Sequence, residues 1–160
     1  MGADFGYFES MFKANTNLVK KATEEVRPEH WFVKPGEASN HLMWVQGHLV
    51  WSRGNVLKTL GAGWFSPWSS LFARGAKPVA ADEYPGVEEI RRTWDEVSGE
   101  LATCLAGAPA DLLARPAPNG APSFDGKVGG LVAFLAFHET YHVGQVSYLR
   151  KWLGYGQTVG

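Results

Sequence analysis

Apolar residues recur along this chain at intervals of three and four in four long stretches, and no stretch shows a convincing strand alternation of period two. The first covers residues 4–26, with Phe5, Phe8, Met11, Phe12, Leu18 and Val19 as its stripe, Asp4 as a candidate N-cap and Pro28 ending it. The second covers residues 39–60, with Ser39 as N-cap and Gly61 as the left-handed residue that closes it. The third begins at Pro85, carries Glu88 and Glu89 where the helix dipole favours acids, and runs to Leu105 before Gly107 and Pro109. The fourth starts near Ser123 or Asp125 and ends at Leu153, with Arg150 and Lys151 in its last turn and Gly154 after it. The pattern predicts an all-α protein with the helices of a four-helix bundle.

The connection over residues 61–84 is long for a compact helical domain, which signals a functional loop or a crossover between helices. It holds Trp64, Phe65, Trp68 and Phe72 around Pro67, and residues 67–73 suit a short helix that lays these rings over the bundle as a lid or pocket wall. Residues 108–122 contain four prolines and a short helical candidate at 111–113.

A chain of 160 residues with 45% hydrophobic content buries roughly two-thirds of its unfolded surface, enough for one core, so residues 1–160 are expected to form a single domain. Fifteen basic residues against sixteen acidic ones, with no Lys/Arg run longer than two, give no footing for nucleic acid or an anionic membrane surface. No apolar stretch approaches the ~20 residues of a membrane span. The lone Cys104 excludes an internal disulfide, and the first residues lack a signal-peptide pattern, so a cytoplasmic location is expected.

Residues 138–142 read His-Glu-Thr-Tyr-His inside the last helical run. Four residues of α-helix advance about 6 Å and turn only about 40° past a full revolution, so both imidazoles can face one ion. Neutral imidazole is the commonest protein ligand for zinc, nickel and related divalent metals. After His142 no His, Asp, Glu or Cys follows, so a third ligand lies upstream. The same five residues match the His-Glu-x-x-His of zinc peptidases, whose further ligand usually comes from downstream, and the extended form of that motif fails at Gln145 and Tyr148. Upstream, His30 sits in a proline-flanked loop, whereas His41 and His48 share a helical face but stand roughly 10 Å apart and cannot both bind the same ion. His48 is favoured because Gly47 lets a neighbouring helix approach and because Trp44, Val45 and Trp51 surround it. Glu139 is a candidate base or ligand partner, and Gln145, one turn beyond His142, a candidate for orienting water or substrate.

The segments HLMWVQGHLVWSRGNVLKTLG, SPWSSLFARGAKP, YPGVEEIRRTWDEV and FHETYHVGQVSYLRKWLG together resemble the DinB-like family of metal-dependent enzymes over nearly the whole chain. The resemblance implies a four-helix bundle with long crossover loops, usually dimeric, and a divalent metal, zinc or nickel foremost and iron also suited, held by three histidines that match His48, His138 and His142. In characterised members the resemblance implies thiol transfer or isomerisation with a low-molecular-weight thiol, and the activity expected here is that of a transferase or hydrolase on a small-molecule substrate. The alternative is a non-catalytic, metal- or ligand-binding homodimeric scaffold of the same fold. Structural zinc sites are usually closed and four-coordinate, so three ligands without a fourth favour the enzyme.

Overall fold

The computed structural model describes residues 5–159. Among these, five α-helices appear and no strand: α1 (Gly6–Thr23), α2 (Leu42–Thr59), the single-turn α3 (Ser69–Phe72), α4 (Val87–Gly107) and α5 (Val128–Trp152). The four long helices form the bundle that the periodicity predicts. Helix α1 packs on α4 and α5, and α2 packs on the same two from the opposite corner.

Side-chain pairings give the helix directions. Asn15 donates to Thr140 Oγ1 and Arg150 donates to the Ala22 carbonyl, so α1 and α5 run parallel. Lys20 pairs with Asp95 while Arg91 reaches back to the Thr23 carbonyl, so α4 runs against α1. Ser52 meets His138 while His48 meets His142, so α2 also runs against α5. The consecutive long helices α2 and α4 are therefore parallel. Residues 60–86 must traverse a bundle whose α2, with 18 residues, is about 27 Å long. This geometry requires the long connection that the sequence shows to be a crossover.

Helix α2 is buried on most of its circumference because the crossover covers the side that α4 and α5 leave open. Two of its glycines make that possible. A Cβ on Gly47 would lie 2.3 Å from the Phe72 ring, and one on Gly54 would lie 3.1 Å from the Trp64 ring. The close approach anticipated at Gly47 is thus made by α3 of the crossover rather than by a long neighbouring helix.

Several helix ends differ from the sequence reading. Asp4 lies outside the described residues, and Phe5 precedes α1 without a side-chain cap. Helix α2 starts at Leu42, capped by His41 rather than Ser39: the Trp44 amide donates to His41 Nδ1 at 3.1 Å. Burial, then the nearby Lys34 charge, holds His41 down to about 4, so the ring stays neutral and can accept that bond. Helix α4 starts at Val87, after Pro85 and Gly86, and extends through Gly107. Helix α5 starts at Val128, later than Ser123 or Asp125. There the Lys127 amide donates to Asp125 Oδ1 and Ser123 donates to the Lys127 carbonyl, so both polar side chains are spent on a turn before the helix. The left-handed closures predicted at Gly61 and Gly154 are present, with φ of 87° and 89°. No helix among the described residues is long and apolar enough to cross a membrane.

Candidate metal centre

His48 on α2 and His138 and His142 on α5 converge at mid-bundle, where the antiparallel pair brings its polar positions face to face. Nε2 of His138 stands 3.3 Å from Nε2 of His48 and 3.1 Å from Nε2 of His142. Imidazole nitrogens about 2.1 Å from one divalent ion are themselves separated by roughly 3.0–3.4 Å in tetrahedral or octahedral geometry. The spacing therefore fits a shared ion.

The outer nitrogens fix the tautomers. His48 donates Nδ1–H to the Phe72 carbonyl at 2.7 Å, and His142 donates Nδ1–H to Gln145 Oε1 at 2.8 Å. Both rings then present an unprotonated Nε2 to the cluster. Ser52 Oγ lies 3.4 Å from Nδ1 of His138. His138 can carry only one Nε2 proton, and one proton cannot satisfy two facing lone pairs, so the arrangement calls for a cation that accepts all three. Burial, with added repulsion from His142 and His138, holds His48 down to about 4 against the opposing pull of the Phe72 carbonyl. Burial likewise lowers His138, helped by His142 and Arg74, and lowers His142 against the Gln145 bond. The three rings stay neutral near pH 7, the state in which imidazole binds metal.

Indole rings wall the cluster. Trp44 stacks on His48 at 4.8 Å and Trp51 stacks on it at 5.2 Å. One side opens into a cavity of about 880 Å³ lined by His48, His138, Trp51, Leu131, Phe134 and Leu135 among others. Its apolar wall comes mainly from α5 and residues 112–122, whereas the crossover contributes Arg74. The aromatic loop does not roof this cavity as anticipated. Phe72 is buried against Gly47 and orients His48 of the histidine cluster through its carbonyl instead.

Glu139 turns away from the histidines. Arg53 Nε and Nη2 donate to its two oxygens, each at 2.8 Å, and both side chains are only 1% exposed. Arg53 also donates to Ser98 Oγ and to the Phe12 carbonyl, and its guanidinium lies 3.9 Å from the Trp94 ring centroid. A carboxylate with both oxygens so engaged is not turned toward the histidines, where a peptidase base would act. Gln145, expected to face water or substrate, holds His142. His30 and His41 lie outside the cluster, His30 bonded to the Tyr155 hydroxyl. Cys104 is on α4, half-buried, with its thiol pushed up by burial and by Glu100.

Arg53 is the residue that sequence reasoning missed. It sits five positions after His48 in a run with apolar neighbours on several sides, which is the one signal that it is buried.

The chain is a four-helix bundle with a crossover and a three-histidine cluster whose spacing could hold a metal ion. The DinB superfamily model matches residues 11–146, and the chain belongs to that superfamily. A comparison with curated proteins gives no match.

Proposed function

We propose that this chain is a divalent-metal-dependent enzyme in which His48, His138 and His142 hold zinc or nickel and which transfers a thiol to, or hydrolyses, a small molecule. The observation that carries this reading is the convergence of three Nε2 atoms, two of them on His48 and His138 at the wall of a cavity of about 880 Å³, with no fourth His, Cys, Asp or Glu in the described cluster. A divalent ion there would supply Lewis acidity and favour the ionised form of a thiol or water bound to it.

Within that reading, the Phe72 carbonyl and Gln145 fix the ring orientations, and Trp44 and Trp51 keep water from the flanks of His48. Thiol transfer suits the lining better than hydrolysis. No Asp or Glu is among the residues lining the cavity, and Glu139 is held by Arg53, so no carboxylate stands ready as general base. A thiol ionises near pH 8.5 and needs far less help than water to become a nucleophile. The open cavity favours this enzyme over the non-catalytic scaffold, and we place it in the cytoplasm, where a lone Cys104 stays reduced.

The test is elemental analysis of untagged protein that has never met a nickel column. About one metal per chain is expected in the wild type and in the His30→Ala control, and less than about a tenth of that in His48→Ala and His138→Ala. Full metal content in His138→Ala would remove the assignment.

The enzyme is further proposed to be a homodimer through the outer face of α5. Phe137, Tyr141 and Tyr148, each 60% exposed, and Trp152 form a stripe along it, and Gly144 sits within the stripe with nothing near its missing Cβ. Isolated apolar residues are ordinary on surfaces, whereas an aromatic stripe of this length marks an interface. Light scattering is expected to give about twice 17.5 kDa for the wild type and 17.5 kDa for Tyr141→Glu. A monomeric wild type would end this part of the reading.

A further inference from the structure

The cavity beside the histidines has an uneven charge that the metal centre does not explain. Its lining includes Lys58, Arg74 and Arg115 and not one carboxylate. Arg115 is neutralised by Asp111, which accepts from its Nη2 at 2.8 Å and its Nε at 3.2 Å. Lys58 and Arg74 have no ion pair among the described residues.

The two free cations stand at different places. Along α2 the lining residues His48, Ser52, Asn55 and Thr59 follow one another at three- and four-residue steps, so the cavity runs about 16 Å from the histidines toward the end of α2. Lys58 lies at that far end. Arg74 lies at the near end. Its position is also fixed by the cluster: it follows by two residues Phe72, whose carbonyl holds His48, and the chain then turns at Gly75, where φ is 83°. The same piece of backbone thus sets a metal ligand and a guanidinium at one mouth of the cavity. Between the two ends, Trp51, Leu131, Phe134 and Leu135 supply apolar wall beside the uncharged Ser52, Asn55 and Thr59 of α2.

We propose that the cavity binds an organic monoanion, a carboxylic acid with an aliphatic or aromatic body, whose carboxylate pairs with Arg74 and whose body lies among Trp51, Leu131, Phe134 and Leu135. A single guanidinium presents paired N–H donors that match a carboxylate, and an uncompensated cation over an apolar pocket selects an acid against its neutral analogue. The inference deepens the enzymatic reading by naming the substrate class of the same site, and it rests on that reading only for what happens to the acid after binding. Arg74 is a binding residue here and supplies nothing to the cluster's hold on metal.

The probes are 4-phenylbutyrate and 4-phenylbutanamide, which differ in charge and hardly in shape, titrated calorimetrically into full-length protein, both zinc-loaded and chelator-stripped. The acid is expected to bind at least about tenfold more tightly than the amide in both forms. In Arg74→Gln that preference should fall to within about twofold while zinc content stays at the wild-type level, and in Lys58→Gln the preference should persist. Equal binding of acid and amide, binding of neither, or a preference that survives Arg74→Gln and disappears in Lys58→Gln would each overturn the proposal. A preference seen only with zinc present would also overturn it, since the acid would then be reading the metal. Failure of the metal assignment is seen separately, as absence of zinc uptake with the acid preference intact in stripped protein.

Discussion

Glu139→Ala is expected to destabilise the fold by about 3–5 kcal/mol, the largest effect of any single substitution near the site. The reason is the partner left behind. Arg53 is 1% exposed and its guanidinium is committed to Glu139, Ser98, the Phe12 carbonyl and the Trp94 face. Without the carboxylate a full positive charge stays in the core with only neutral acceptors, and its desolvation is uncompensated. The pair itself contributes little net stability, because desolvating both ions offsets most of their attraction. The double variant Arg53→Met/Glu139→Leu is therefore expected to regain most of the loss, which urea unfolding of the two singles and the double would show as strong non-additivity. A midpoint for Glu139→Ala within about 1 kcal/mol of wild type would mean that Arg53 finds another partner or water.

That ion pair also bears on the metal centre. Glu139 is one residue from His138 and three from His142, so tying its carboxylate to α2 fixes the rotation of α5 about its own axis. Neighbouring positions on a helix point about 100° apart, and anchoring Glu139 to Arg53 directs His138 toward the cavity. Under the proposed metal site, the motif His-Glu-x-x-His would serve here as ligand, anchor and ligand. In a peptidase the same Glu would be ligand, base and ligand, and the difference lies in Arg53 on the other helix.

Much of this was legible in the chain. The helical periods, the long connection and the His138/His142 pair follow from local spacing, which is a property of neighbouring residues, whereas His48 was reached through its apolar surround and the family resemblance. What was not legible depends on contacts between distant segments. Arg53 reads as a surface cation until α1, α4 and α5 close around it. His41 caps α2 in place of Ser39 because burial keeps its ring neutral, a condition set by the packed structure. The Phe72 ligand to His48 is a backbone carbonyl, to which residue type gives no clue, and its ring packs on Gly47 rather than roofing the cavity. Gln145 illustrates the same point from the other side: its place on the face of His142 was readable, but its choice of His142 over water was a matter of 2.8 Å.

Gly47→Ala is expected to weaken zinc binding by about 10–100-fold and to destabilise the protein by about 1–3 kcal/mol, although it adds only a methyl group to a helix. The new Cβ would stand 2.3–2.4 Å from three atoms of the Phe72 ring. That ring is fully buried and stacked on Tyr84 at 5.7 Å, so it cannot swing aside without moving its own backbone. The carbonyl of that same residue accepts the Nδ1–H of His48, and moving it frees the ring to rotate and to change tautomer. Loss of metal affinity here is therefore a consequence of packing, carried by one residue whose ring and carbonyl face two neighbouring positions of α2. Gly99→Ala in α4 separates this from any general effect of helical glycines: nothing lies near its Cβ, and Ala there should stabilise by about 0.5–1 kcal/mol with zinc affinity unchanged. Competition with a chelator for zinc, read beside thermal unfolding of both variants, decides the matter. Wild-type zinc affinity in Gly47→Ala would show that the Phe72 carbonyl does not hold His48 in place.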